Sequence, residues 1–124
     1  IDTTIAFDTP GAKPEEMVTK LGAGVGIKIM DGGSICDYRM VRFMKDLANQ
    51  HNVKWQAEIL PAKGTDTAGM QRMATNGTIA GAVSIPTRHI HSHIEMANKA
   101  DIHANIDLLK LCLENLENYD WSFK

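Results

Sequence analysis

Gly24-Val25-Gly26-Ile27-Lys28-Ile29-Met30, followed by Asp31-Gly32-Gly33-Ser34, is the stretch on which the fold turns. Val25, Ile27 and Ile29 alternate against Gly26, Lys28 and Met30, the period-two pattern of a strand. Asp31 to Ser34, with two consecutive glycines, reads as a turn. Asp37 then offers an N-cap for a helix running to about His51, since a carboxylate there can take the free N–H groups of the first turn. Met40, Phe43, Met44 and Leu47 fall at helical spacing and make one apolar stripe, read as a core-facing surface rather than a cofactor contact.

The rest of the chain repeats this strand-then-helix rhythm. Ile1–Phe7 is rich in β-branched residues and reads as a strand, ended by Asp8-Thr9-Pro10-Gly11. Residues 12–23 read as a surface loop, with Glu15 and Glu16 as solvated charge. Trp55–Leu60 is a strand, and Asp66–Asn76 is a helix closed by Gly77. Ile79–Ile85 is a buried strand stopped by Pro86. Ile102–Leu116 is the strongest helix, with Ile102, Ile106, Leu109, Leu113 and Leu116 at alternating spacings of four and three. Glu117–Lys124 reads as a surface tail. The order β, β, α, β, α, β, α predicts an α/β layered fold with a mostly parallel sheet, in one domain over residues 1–124.

Composition narrows the classes. The 124 residues are 44% hydrophobic and 23% charged, a globular balance with room for one core. A formal net charge of −2 gives no pull toward nucleic acid or an anionic membrane. No apolar run reaches the roughly 18 residues needed to span a bilayer, and no basic-then-apolar leader is visible. Cys36 and Cys112 are too few for a disulfide framework, so a reduced, cytoplasmic compartment is expected. The chain opens on Ile1 inside a strand, which suggests a piece of a longer protein.

Three loops after strands are candidate sites, because α/β sheets gather chemistry there. In Arg88-His89-Ile90-His91-Ser92-His93-Ile94-Glu95, three histidines alternate. An extended segment would point them to one side and gather them for a zinc-like ion, and a surface loop with incidental histidines is the plainer alternative. In Lys63-Gly64-Thr65-Asp66-Thr67, Gly64 allows close backbone approach to a ligand, and Asp66 either serves a site or caps the next helix. Asp2 is a carboxylate in an apolar strand, which needs a partner, a metal or exposure at the strand end.

Four segments resemble the glutamyl and tetrahedral aminopeptidase family, some members of which are labelled endoglucanases. Ile1-Asp2-Thr3-Thr4 with Asp8-Thr9-Pro10-Gly11 resembles its I-D-V-T…D-x-P-G. Gly22–Asp31 resembles G-x-G-x-x-I-K-x-M-D. Gly64-Thr65-Asp66 resembles G-T-D-A-G, with Thr67 interrupting the family's spacing. Ile85–Ser92 resembles I-P-x-R-Y-I-H-S, with His89 where the family has Tyr. The segments occur in family order along nearly the whole chain.

The resemblance implies a three-layer α/β/α sandwich with a mixed sheet, present here as a partial domain. It implies a metal-dependent aminopeptidase using two divalent ions, zinc or cobalt, on a peptide substrate, in a homo-oligomer. Residue by residue, it makes Asp2 one metal ligand and His91, rather than His89 or His93, another. The other ligands and the general-base Glu lie upstream in the family and are not in this sequence, so weak metal binding and no hydrolysis are expected of the segment alone. Arg88, beside the metal histidine, is a candidate contact for substrate or a carboxylate, and Asp66 a further substrate contact. Lys63 reads most simply as a solvated lysine, with an acidic substrate side chain as the sharper alternative. A non-catalytic α/β module that kept the fold is the competing reading. Glycoside hydrolysis, suggested by the endoglucanase labels, would need two carboxylates flanking a sugar, and nothing in the histidine segment supports it.

Overall fold

The computed structural model describes residues 1–123. In chain order they form β1 (Asp2–Ile5), β2 (Val25–Asp31), α1 (Tyr38–Gln50), β3 (Trp55–Leu60), α2 (Thr67–Met73), β4 (Val83–Arg88), β5 (Met96–Ala97) and α3 (Lys99–Asn115). Single 3-10 turns occur at Pro14–Glu16 and Leu116–Asn118. α1 begins as expected: the Asp37 carboxylate accepts the Arg39 N–H at 2.9 Å. Asp66 stands at the N-terminus of α2 but makes no side-chain capping bond.

The sheet is mixed, in the order β1-β4-β2-β3, with β5 paired to β4. Its two long ladders are parallel: Asp2–Ile5 on Ser84–Thr87, and Val25–Asp31 on Trp55–Leu60. Short antiparallel contacts join β2 to β4 at Val83 and Ser84, and β5 to β4 at Thr87 and Arg88. Pro86 therefore does not stop β4. On the edge that β2 and β5 share, it falls between the two ladders, where a missing N–H forfeits no ladder bond.

One face of the sheet carries the apolar core. Val25, Ile27 and Val83 pack beneath Phe43, Met44 and Leu47 of α1 and Ala104 and Leu108 of α3. The tail after α3 is not a free surface tail. Tyr119 and Trp121 pack against that core, with ring centroids 4.7 and 5.0 Å from Phe43. Two rings spaced by two residues fall on one side of an extended segment, so both can meet the same helix.

The opposite face is polar and just as closed. Lys28 and Glu58 are fully buried and form an ion pair. The Thr4 hydroxyl donates to the same carboxylate oxygen, Glu58 Oε1, at 2.6 Å. β1 and β3 are the two ends of the sheet, about 14 Å apart if it lay flat. The bond from Thr4 to Glu58 thus requires the sheet to curl enough to bring its end strands within side-chain reach.

α3 is rotated about its axis relative to the apolar spacing read from sequence. Its buried positions are Asp101, Ala104, Asn105 and Leu108, whereas Ile106 and Leu113 are 56% and 69% exposed. Asp101 supplies the reason: its carboxylate accepts the N–H groups of Gly22 at 2.7 Å and Gly24 at 2.8 Å. That pair of bonds fixes which side of the helix meets the sheet. Gly24 sits at φ +97°, and a Cβ there would lie 2.2 Å from the Lys54 carbonyl oxygen, so only glycine fits.

Candidate active site

A cleft of about 130 Å³ runs along β1. Asp2 and Thr3 border it from β1, Lys63 and Thr65 from the loop after β3, and Ile90 and His91 from the loop after β4. Asp2 opens β1, and His91 follows the end of its parallel neighbour β4. Asp2 pairs with Ser84 near the start of β4, so it is the turn after β4, and not the strand pairing, that brings His91 to the cleft that Asp2 borders.

The loop after β4 is a turn and not an extended segment. His89 and His91 both have left-handed backbone, at φ 58° and 64°. The Ser92 N–H bonds the His89 carbonyl at 3.1 Å, and the His91 N–H donates to Glu95 Oε1 at 2.7 Å. The expectation that alternation would gather three imidazoles fails for this reason. Of the three, His91 lines the cleft. Two non-glycine residues at positive φ within three positions cost on the order of 1 kcal/mol or more each, strain typical of functional turns.

Asp2 and His91 offer suitable donors. Asp2 Oδ1 accepts the Thr3 N–H at 2.8 Å, and among the described residues neither Asp2 Oδ2 nor the His91 ring has a hydrogen-bond partner. An exposed carboxylate and an exposed imidazole are oxygen and nitrogen ligands that suit zinc. Among the described residues no group of three or more His, Cys, Asp or Glu could hold a metal ion by itself. The pair therefore fits as part of a ligand set and not as a complete one.

The other candidates are placed differently. Lys63 borders the cleft with Asp2 and His91. Asp66, next to Thr65, is exposed and is not part of the cleft wall. Arg88 is engaged elsewhere: its Nε donates to Asp8 Oδ1 at 2.6 Å and its Nη2 to Asp8 Oδ2 at 3.0 Å. Asp8 also accepts the Leu21 N–H at 2.9 Å. The Arg88 hydrogen bonds, with the Leu21 N–H adding to them against burial, hold the Asp8 carboxyl below its ordinary range. The forked pair ties the end of β4 to the loop after β1, so the carboxylate that Arg88 contacts belongs to the chain itself.

Asp31 stands in the sequence as the first residue of a turn and the last of the Gly22–Asp31 motif, and neither gives it a role. Its buried carboxylate accepts five hydrogen bonds: from the Gly33 and Ser34 N–H groups and the Ser34 hydroxyl on Oδ1, and from the Thr65 N–H and hydroxyl on Oδ2. The Gly32 N–H also donates to the Lys63 carbonyl at 2.7 Å. An Asp opening a Gly-Gly turn is the available signal for the local bonds, but nothing local marks the partners at residues 63 and 65.

The sheet order and the cleft define an α/β protein whose candidate site is built on strand β1 and on the loops that follow β3 and β4. Residues 1–108 match the family of M42 glutamyl aminopeptidases, and the chain belongs to that family. A solved aminopeptidase, APDkam598 from Desulfurococcus kamchatkensis, superposes with a TM-score of 0.88 at 32% identity, over 91% of this chain and 32% of its own. A lysyl aminopeptidase of Pyrococcus furiosus is 29% identical over 95% of this chain and 34% of its own length. A glutamyl aminopeptidase of Lactococcus lactis is 34% identical over 82% of this chain and 27% of its own length. The chain spans about a third of the length of the relatives it matches.

Proposed function

We propose that this chain contributes part of the active site of a metal-dependent aminopeptidase that removes N-terminal residues from peptides. The observation that carries the reading is the convergence of Asp2 and His91 on one cleft, in a chain of the M42 aminopeptidase family. Asp2 would contribute an oxygen and His91 an imidazole nitrogen, each to one of two divalent ions, zinc or cobalt. Such a pair of ions, when bound, activates water and polarises the scissile carbonyl. The strained turn at His89–His91, braced by Glu95, orients the imidazole, and the Arg88–Asp8 pair anchors the strand end that carries the turn. The remaining ligands and the general base come from outside this sequence.

In the complete enzyme, Asp2→Ala and His91→Ala are expected to lower bound metal by about one ion each and to reduce aminoacyl-anilide hydrolysis by about a thousandfold or more. Metal analysis together with kcat/KM checks this. Full metal content with retained activity in either variant would remove that residue from the site, and retention in both would favour a non-catalytic module.

Lys63 is read as a contact for an acidic substrate side chain. Its place beside Asp2 and His91 supports this, and the relatives' names, lysyl and glutamyl, show that side-chain preference varies within the family. Lys63→Ala is expected to lower the Glu-to-Leu anilide rate ratio about tenfold. An unchanged ratio makes Lys63 a solvated lysine. The reading extends to a homo-oligomer in the cytoplasm. Both cysteines are free, as a reducing compartment would leave them, and no helix of the described residues is long and apolar enough to cross a membrane.

A further inference from the structure

The Thr65 part of the cleft wall is tied to Asp31 at the end of β2. Asp31 is 3% exposed and has no hydrogen to give when ionised. Thr65 donates both its N–H, at 3.0 Å, and its hydroxyl hydrogen, at 2.8 Å, to Asp31 Oδ2. A hydroxyl has one hydrogen, so a donated hydroxyl can only accept on its remaining lone pairs. Bonding to an ionised acceptor strengthens this polarity. Thr65 lies half-buried at the cleft. On this wall the Thr65 hydroxyl is thus an acceptor, set beside the donor Lys63.

We propose that Thr65 is a substrate-binding residue that accepts a hydrogen bond from the substrate's free α-amino group, and that Asp31 is the positioning residue that makes Thr65 an obligate acceptor. An ammonium group carries several donors and no acceptor, which is the complement of the Thr65 hydroxyl, while the neighbouring Lys63 suits the acidic side chain assigned to it. A peptide whose N-terminus is blocked loses that match. The assignment rests on the aminopeptidase reading and gives that reading a residue for its selection of free N-termini. Asp31 also holds the Gly33 and Ser34 N–H groups and the Ser34 hydroxyl, so it fixes Thr65 to the rigid end of β2.

The test uses the complete, metal-loaded enzyme and two inhibitor probes, leucinamide and 4-methylpentanamide, which differ only in the α-amino group. Thr65→Val is expected to weaken leucinamide about tenfold while leaving 4-methylpentanamide within twofold, and to raise KM for leucine anilide about tenfold with kcat within twofold. Thr65→Ser, which keeps the hydroxyl, is expected to bind both probes as the wild type does. Asp31→Asn is expected to reduce the preference for leucinamide in the same direction. Equal weakening of both probes in Thr65→Val, or an unchanged preference, overturns the assignment. A wild-type enzyme that cleaves no aminoacyl anilide overturns the aminopeptidase reading itself, and this assignment falls with it.

Discussion

Asp8, Asp31 and Asp37 each hold a carboxylate among donors, and each has its pKa lowered from the ordinary value of 3.8. The causes differ. For Asp8 and Asp37 the leading cause is a hydrogen-bonded arginine, Arg88 and Arg39 respectively. For Asp31 burial is the largest single influence and pushes upward, but the bonds from Thr65, Gly33 and Ser34 outweigh it. A carboxyl whose folded pKa lies below its unfolded value adds stability that is complete above the unfolded pKa and is lost as pH falls through the folded one. Urea midpoints are therefore expected to hold level down to about pH 5 and to fall as acid is added below about pH 4. Asp8→Asn is expected to be less stable near neutrality and to show a shallower acid fall. A variant that keeps the wild-type acid slope would remove the Asp8–Arg88 pair from this account. At the same scale, Lys28 was visible in sequence as the polar partner in an alternation and as a motif position, neither of which marks it as buried. Its burial needs Glu58 of another strand, and no local pattern encodes that pairing.

Among the elements, α1 and α3 are opposites. α1 was legible because its cap and its stripe agree: Asp37 bonds the first turn, and Phe43, Met44 and Leu47 enter the core together with Val41 and Ala48, with Met40 partly buried against it. α3 was legible as a helix but not in its facing. Its apolar spacing points outward, and its inner side is chosen by Asp101 reaching the glycine N–H groups at residues 22 and 24. The segment after α3 adds a lock that lies beyond the family match at residues 1–108. Trp121 packs tilted against Phe43 and edge-on against Tyr119, with centroids 5.0 and 4.9 Å away, and its Nε1 donates to the Leu116 carbonyl at 3.0 Å. Trp121→Ala is expected to destabilise the fold by about 2–3 kcal/mol, read from the denaturant midpoint, with kcat/KM of the complete enzyme unchanged because the lock faces away from the cleft. A midpoint within about 0.5 kcal/mol of wild type would mean that the tail only rests on the surface.

For the molecule as a whole, the sheet order makes the cleft. β1 and β4 are first and nearly last in sequence yet adjacent and parallel, and the turn after β4 places His91 on the cleft that runs along β1 from Asp2. The curl that joins Thr4 to Glu58 draws β1 toward the end of β3, and Leu60, Lys63 and Thr65 become the facing wall. Sequence alone determined the strand–helix rhythm, the cap and core stripe of α1 and the family motifs, because each is written in neighbouring residues at a fixed period. Tertiary structure decided which face of α3 is buried, that Arg88 is taken by Asp8, that Asp66 lies off the cleft wall, and that Asp31 governs Thr65. Each of these depends on a hydrogen bond or a packing contact between residues tens of positions apart. Such partners are chosen by strand order and sheet curl, which no local periodicity records.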